Sequence, residues 1–230
     1  MDLLSIVLPR WCVICGSLVQ GGMHWPLCEE CSQLIRTRYG YVKSGPRCIK
    51  CGKPLCSEIG QCIRCRMGGY SFDSAWPLFR YAGELRTLVL AYKSRGRRSL
   101  APWFAAMLAE ALRERYPGRI IIPIPPRPGK LRRKGWDQVE DIAWILERRF
   151  GMPVERALRR ADGVEQKSLD LAHRAANVRG RIGVRKGFRI PVDPVLFDDV
   201  MTTGATLSEC AAVLKSAGAV RVDALAVCAD

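Results

Sequence analysis

From residue 74 onward the apolar positions switch repeatedly between a strand period and a helix period. Residues 74–81, SAWPLFRY, read as a strand. Glu84 to Ser94 place Leu85, Leu88, Val89 and Tyr92 on one helical face. Ser99 is a candidate cap for a helix reaching about Tyr116, with Leu100, Phe104, Leu108 and Leu112 along one stripe. Residues 119–125, RIIIPIP, form a short apolar strand stopped by prolines. A loop at 125–135 follows, and Asp137 can cap a helix carrying Val139, Ile142, Ala143, Leu146 and Phe150. Residues 151–190 are Arg-rich and weakly patterned. Residues 194–200, PVLFDDV, predict a buried strand. Thr206 to Ala217 predict a helix with Leu207, Cys210, Ala211 and Leu214 inward and Gly218 as its stop. Residues 222–227, VDALAV, predict a last strand. This alternation predicts an α/β domain with a mainly parallel sheet.

The first 70 residues lack such a period and are rich in Cys and Gly. They predict a small separate domain, 1–70, ahead of an α/β domain, 71–230. A unit of that size needs staples. The chain carries 11 cysteines. An odd count without a convincing export signal argues against a disulfide framework. Cys12, Cys15, Cys28 and Cys31 make one pair of CxxC turns; Cys48, Cys51, Cys62 and Cys65 make a second. Two residues between thiolates form a turn that aims both sulfurs at one ion, and two such turns complete a tetrahedral site. The pattern predicts a double zinc ribbon with two structural zinc ions, paired sequentially or, as the alternative, cross-braced. Gly16 and Gly52 follow CxxC pairs where positive φ is expected. Cys56 lies outside the pairs, while Cys210 and Cys228 read as packing residues. His24 and His173 have no sequence partner that marks them as ligands or bases.

The most specific remaining motif is Val195-Leu196-Phe197-Asp198-Asp199-Val200-Met201-Thr202-Thr203-Gly204-Ala205-Thr206. A buried strand ends in two acids, placed at its solvent-facing carboxyl end, then a Thr/Gly loop and a helix. Ligands bind at that edge of α/β sheets. The N–H groups of Thr202, Thr203, Gly204, Ala205 and Thr206 can cradle a phosphate at the positive end of the helix. Asp198 and Asp199 lie at about the distance of paired ribose hydroxyls. The motif is neither a Walker loop nor GxGxxG.

This arrangement resembles the phosphoribosyl diphosphate (PRPP) motif of type I phosphoribosyltransferases. The wider set resembles the ComF family of competence-associated proteins: YAGELRTLVLAYKSRGRRSLA, IPIPPRPGKLRRKGWDQ, the spaced Gln166, Leu169, Arg174 and Asn177, FDDVMTTGAT, and the doubled CxxC module. The resemblance implies a phosphoribosyltransferase-like sheet behind a double zinc ribbon and a link to DNA uptake in natural transformation. It implies that Asp198 and Asp199 hold the ribose as the catalytic pair, that Thr202 to Thr206 hold the 5′-phosphate, and that Mg²⁺ accompanies PRPP. Thr202 stands where many active transferases carry an acid beside the loop. The family pattern Arg-Gly-aromatic-Asn-Gln is here Lys134, Gly135, Trp136, Asp137 and Gln138, with Asp137 expected to cap its helix.

Net charge is +15. So basic a balance points to a polyanionic partner. Lys93 follows one helix, and Arg127, Lys130, Arg132, Arg133 and Lys134 crowd one loop, with Trp136 beside them to stack on a base. These charges suit a leaving diphosphate or a nucleic-acid backbone. Two functions from different classes follow: phosphoribosyl transfer to an unidentified acceptor, or non-enzymatic binding of single-stranded DNA and competence partners with PRPP as regulator or relic ligand. No apolar run of about 18 residues predicts a membrane span, and the expected location is the cytoplasm.

Overall fold

A computed structural model describes residues 11–19, 26–40, 45–127, 129–160 and 182–230. Its central sheet joins β1 (Ser74–Arg80), β6 (Asp223–Ala229), β5 (Val195–Met201) and β2 (Ile121–Pro123) in that spatial order. Every neighbouring pair is parallel. Parallel strands are buried on both faces and read as continuous apolar runs. Accordingly every residue of β6 is buried. A second ladder pairs β3 (Leu158–Arg160) antiparallel with β4 (Ile182–Val184). Both short strands fall in the stretch whose sequence is weakly patterned.

Helices cover both faces of the sheet. On one face lie α3 (Gly83–Lys93), α4 (Ala101–Arg115) and α6 (Gln138–Phe150). They pack Leu85, Leu88, Phe104, Leu108, Ile142 and Leu146 with Val195, Phe197 and Leu225. On the other face α7 (Ala205–Ser216) packs Leu207, Cys210, Ala211 and Leu214 with Ile122, Leu196, Ala224 and Ala226. The faces match those expected from periodicity. Several boundaries differ, and the strand expected over 119–125 spans only Ile121–Pro123. Ser99 does not cap α4; it lies in a 3-10 turn, Arg98–Leu100, that runs into the helix, and Pro102 sits in the first helical turn. The expected loop at 125–135 contains a short helix, α5 (Lys130–Lys134), bounded by Gly129 and Gly135 with positive φ. Asp137 does cap α6, accepting from the amides of Val139 (2.9 Å) and Glu140 (3.2 Å).

The cysteine-rich segment contributes α1 (Glu29–Tyr39) and the five-residue α2 (Ile63–Met67). In α1, Cys31, Ile35 and Tyr39 are buried at i, i+4 and i+8. Cys12, Cys31, Ile35 and Tyr39 join the core on the α3–α4–α6 face, whereas Cys48, Cys51, Leu55 and Cys65 join the core on the α7 face. Backbone from both regions also meets the outer edge of β1. Gly40 bridges Phe79 antiparallel, and the Ala75 amide donates to Lys50 O at 2.8 Å. Pro77 lies in this edge strand, where a missing N–H is tolerated. Its carbonyl accepts from Arg47 Nη2 at 2.7 Å. The guanidinium groups of Arg47 and Arg115 lie 3.6 and 3.5 Å from the centroid of Trp76. Among the described residues no helix is long and apolar enough to cross a membrane.

Candidate functional site

The two cysteine sets close as sequential sites. Cys12, Cys15, Cys28 and Cys31 form one cluster and Cys48, Cys51, Cys62 and Cys65 the other, with the sulfurs of each within 4.8 Å of one another. Sulfurs 2.3 Å from a tetrahedral ion stand about 3.8 Å apart. The Cys15–Cys28 and Cys51–Cys62 sulfur pairs are each 3.7 Å apart. Gly16 and Gly52 have φ of +72° and +69°, and a Cβ on Gly52 would stand 2.3 Å from Ala75 O. Each set can hold a structural metal ion, and four thiolates leave no open coordination position. Cys210 and Cys228 are buried in the sheet's cores, apart from both clusters, as packing residues. Cys56 is exposed.

The second site forms at the carboxyl ends of the strands. β5 ends in Asp198, Asp199, Val200 and Met201; the chain turns through Thr202 and Thr203 and enters α7 behind Gly204, whose φ is +74°. Thr203 Oγ1 accepts from the Ala205 amide at 3.3 Å. Thr202 and Thr203 are exposed. The two acids occupy different surroundings, because successive residues of a strand leave opposite faces. Asp199 is not solvent-facing as the sequence led us to expect; it is 6% exposed. It meets the Lys93 ammonium at 3.1 Å and accepts from Gln138 Nε2 at 2.8 Å. Burial favours its neutral form, yet Lys93 and the hydrogen bonds from Lys93, Asp198 and Gln138 hold it below the usual carboxylate range. Asp198 is pushed well above that range by burial and by the neighbouring charge of Asp199. Lys93 is raised: its own burial opposes the charge, but Asp199 outweighs it.

A polar relay extends from this pair. Lys130 pairs with Asp137 at 2.7 Å and hydrogen-bonds Gln138 Oε1, and Gln138 reaches Asp199. Lys134 Nζ donates to Lys93 O at 3.0 Å. Of the six basic candidates, Lys93, Lys130 and Lys134 are thereby drawn into the site's own framework. Arg127, Arg132 and Arg133 stand at the exposed surface. Trp136 is half-buried, with its ring 5.3 Å from Tyr92 and Arg98 lying 5.7 Å over it. Gln166, Leu169, Arg174 and Asn177 lie outside the described residues. Sequence reasoning treated Gln138 only as part of a motif and passed over Arg160. Arg160 lies in β3 within electrostatic reach of Asp198, Glu209 and Arg127. Gln138 stands four residues before Ile142 on the buried face of α6, and that spacing is the readable signal that its side chain turns inward.

Comparison with curated proteins finds relatives along most of the chain. Competence protein ComFC of Streptococcus pneumoniae is 26% identical over 194 residues, 84% of this chain and 83% of that protein. Competence protein F of Haemophilus influenzae is 26% identical over 204 residues, 84% and 85% of the two chains. These relatives support the ComF family. A ComF-family reading also fits DNA utilization protein YhgH of Escherichia coli K12, 26% identical over 235 residues, 97% of this chain and 98% of that protein. No family model matches the chain. Among solved structures, the glutamine PRPP amidotransferase of B. subtilis aligns with a TM-score of 0.41 and 18% identity, over 60% of this chain and 30% of that one. An allosteric regulatory enzyme of purine biosynthesis aligns with a TM-score of 0.40 and 17% identity, over the same shares.

Proposed function

We propose that this chain is a phosphoribosyltransferase-like protein of DNA uptake that binds PRPP at the carboxyl edge of its sheet. The observation that carries the reading is the convergence at one strand end of the Asp198–Asp199 pair, the Thr202–Thr206 turn at a helix start, and Lys93. The turn takes the 5′-phosphate: backbone N–H groups and the positive helix end favour a dianion. Asp198 and Asp199 accept from the ribose hydroxyls. Lys93 keeps a buried carboxylate ionised and leaves 41% of its own side chain exposed toward an entering anion.

In the transferase reading, the bond from ribose C1 to the diphosphate oxygen breaks and a bond to the acceptor forms. The diphosphate leaves toward Arg127 and α5. Mg²⁺ would neutralise diphosphate charge, held chiefly by the substrate's own oxygens. Among the described residues, the clusters of three or more His, Cys, Asp or Glu side chains able to hold a metal are the two cysteine sets. Thr202 offers no carboxylate to take the acceptor's proton, so the acceptor must arrive with a nucleophile that does not need one there. The two metals are zinc in this proposal, since thiolate-only sites select soft ions. Residues 1–70 and 71–230 are its two units. A second reading, binding of single-stranded DNA, is favoured by the exposed Arg132 and Arg133 on α5 and the charge of +15.

Titration of the purified protein with Mg·PRPP by calorimetry tests the first reading. Asp198→Ala and Asp199→Asn, the latter keeping an acceptor for Lys93 in the buried position, are expected to weaken binding at least tenfold while the protein keeps its cooperative melt. Equal affinity in the double variant removes these acids from the ribose site.

A further inference from the structure

A cradle of backbone amides binds an anion well only if those amides are already aimed. The turn after β5 has exposed threonines and an αL glycine, and its internal bond from the Ala205 amide to Thr203 Oγ1, 3.3 Å, does not engage the Thr202 and Thr203 carbonyls. The second cysteine unit supplies contacts that do. Tyr70 Oη donates to Thr203 O at 3.0 Å, and Lys53 Nζ donates to Thr202 O at 3.3 Å and also to Asp230 O. A trans peptide is planar, so its C=O and the following N–H point in opposite directions. Drawing the Thr202 and Thr203 carbonyls toward the cysteine unit therefore turns the N–H groups of Thr203 and Gly204 away from it, into the cradle. A donor on each carbonyl also polarises its amide and strengthens the N–H as a donor.

Other contacts make this brace rigid. The Tyr70 ring lies against Gly204 so closely that a Cβ there would meet Cε1 at 2.9 Å. The ring stacks on Phe72 at 4.6 Å, and Phe72 is fully buried in the core that holds Cys48, Cys51 and Cys65. The Ser71 amide donates to Ser208 Oγ at 2.9 Å in the first turn of α7. Lys53 follows the Cys48–Cys51 turn by two residues, and Tyr70 follows Cys65 by five.

We propose that Tyr70 and Lys53 are positioning residues for the phosphate-binding turn, so that the second cysteine unit serves as a jig for anion recognition and not only as a fold staple. The proposal rests on reading Thr202–Thr206 as a phosphate cradle. Linkage is reciprocal, so an anion in the cradle should in turn slow metal loss from Cys48, Cys51, Cys62 and Cys65 and leave the other cluster unaffected.

The test uses full-length protein with both metals. Tyr70→Phe keeps the ring and deletes one donor; Tyr70→Ala deletes both; Lys53→Met deletes the second donor. Calorimetry with Mg·PRPP should show losses of about 3- to 10-fold for Tyr70→Phe, as expected for one hydrogen bond, and a larger loss for Tyr70→Ala. Hydrogen exchange at the Thr203 and Gly204 amides should quicken in all three, with metal content and melting of Tyr70→Phe unchanged. Wild-type affinity together with wild-type exchange in Tyr70→Phe and Lys53→Met overturns the brace. If the wild type binds no PRPP but exchange at those amides still quickens, the brace stands and the PRPP reading falls alone.

Discussion

At the scale of single residues, acids here are set apart by their donors. Asp223 is fully buried, yet Arg221 (2.7 Å) and Arg119 (2.6 Å) pair with it and Ser74 donates to it at 2.7 Å. Burial raises its pKa, but the bonds from Arg221, Ser74 and Arg119 more than reverse that and leave it below the usual range. A carboxylate lowered in the fold stabilises the protein above its unfolded pKa, about 3.9, and that stability is lost as pH falls through the folded value. Asp223→Asn is expected to cost about 1–3 kcal/mol at neutral pH, because Arg119 loses its buried carboxylate and keeps only the half-exposed Asp193 at 3.2 Å. Urea unfolding across pH should show the gap to wild type closing below about pH 4; a constant gap would remove the ion pairs as its cause. That Asp198 and Asp199 stand in a buried strand ahead of a glycine turn and a helix was legible in the sequence. Their unequal environments were not, because Lys93 and Gln138 are distant in sequence and meet Asp199 only through packing.

Elements were legible where a period of 3.6 or 2 ran for ten residues or so, as in α3, α4 and α6. The short pieces escaped. Strands β3 and β4 are three residues each and their pairing is non-local. Helix α1 carried a readable signal, Cys31, Ile35 and Tyr39 at i+4 spacing with Glu29 and Glu30 first and Arg36 and Arg38 last, but reading the cysteines as ligands hid it. Helix α5 was read as loop because its five residues, Lys-Leu-Arg-Arg-Lys, have no apolar stripe. As a helix it presents Arg132 and Arg133 to solvent together. If this surface holds single-stranded DNA, changing Arg132, Arg133 and Lys134 to Ala should flatten the salt dependence of binding by up to about two units, at roughly 0.7 per contact. An unchanged slope in fluorescence anisotropy would move the DNA to another surface. Trp136 is a weaker base platform than its neighbourhood in sequence implied, since Tyr92 and Arg98 already cover part of its ring.

At the scale of the whole molecule, the cysteine units pack into the two cores on opposite faces of one sheet. Elemental analysis should find about two zinc ions per chain. Cys12→Ser should lose one and lower the melting temperature, because Cys12 and Cys31 are part of the α3–α4–α6 core, whereas Cys210→Ser should retain both. One ion in intact wild-type protein would remove the double-ribbon reading. The units also shield the free side of β1, where Lys50 and Gly40 pair with its backbone and Arg47 takes a carbonyl. An uncovered strand edge is a template for pairing with another chain. With metal in the cysteine units, as proposed, its removal by a chelator is expected to bare the seven-residue β1 border and raise aggregation, read by light scattering.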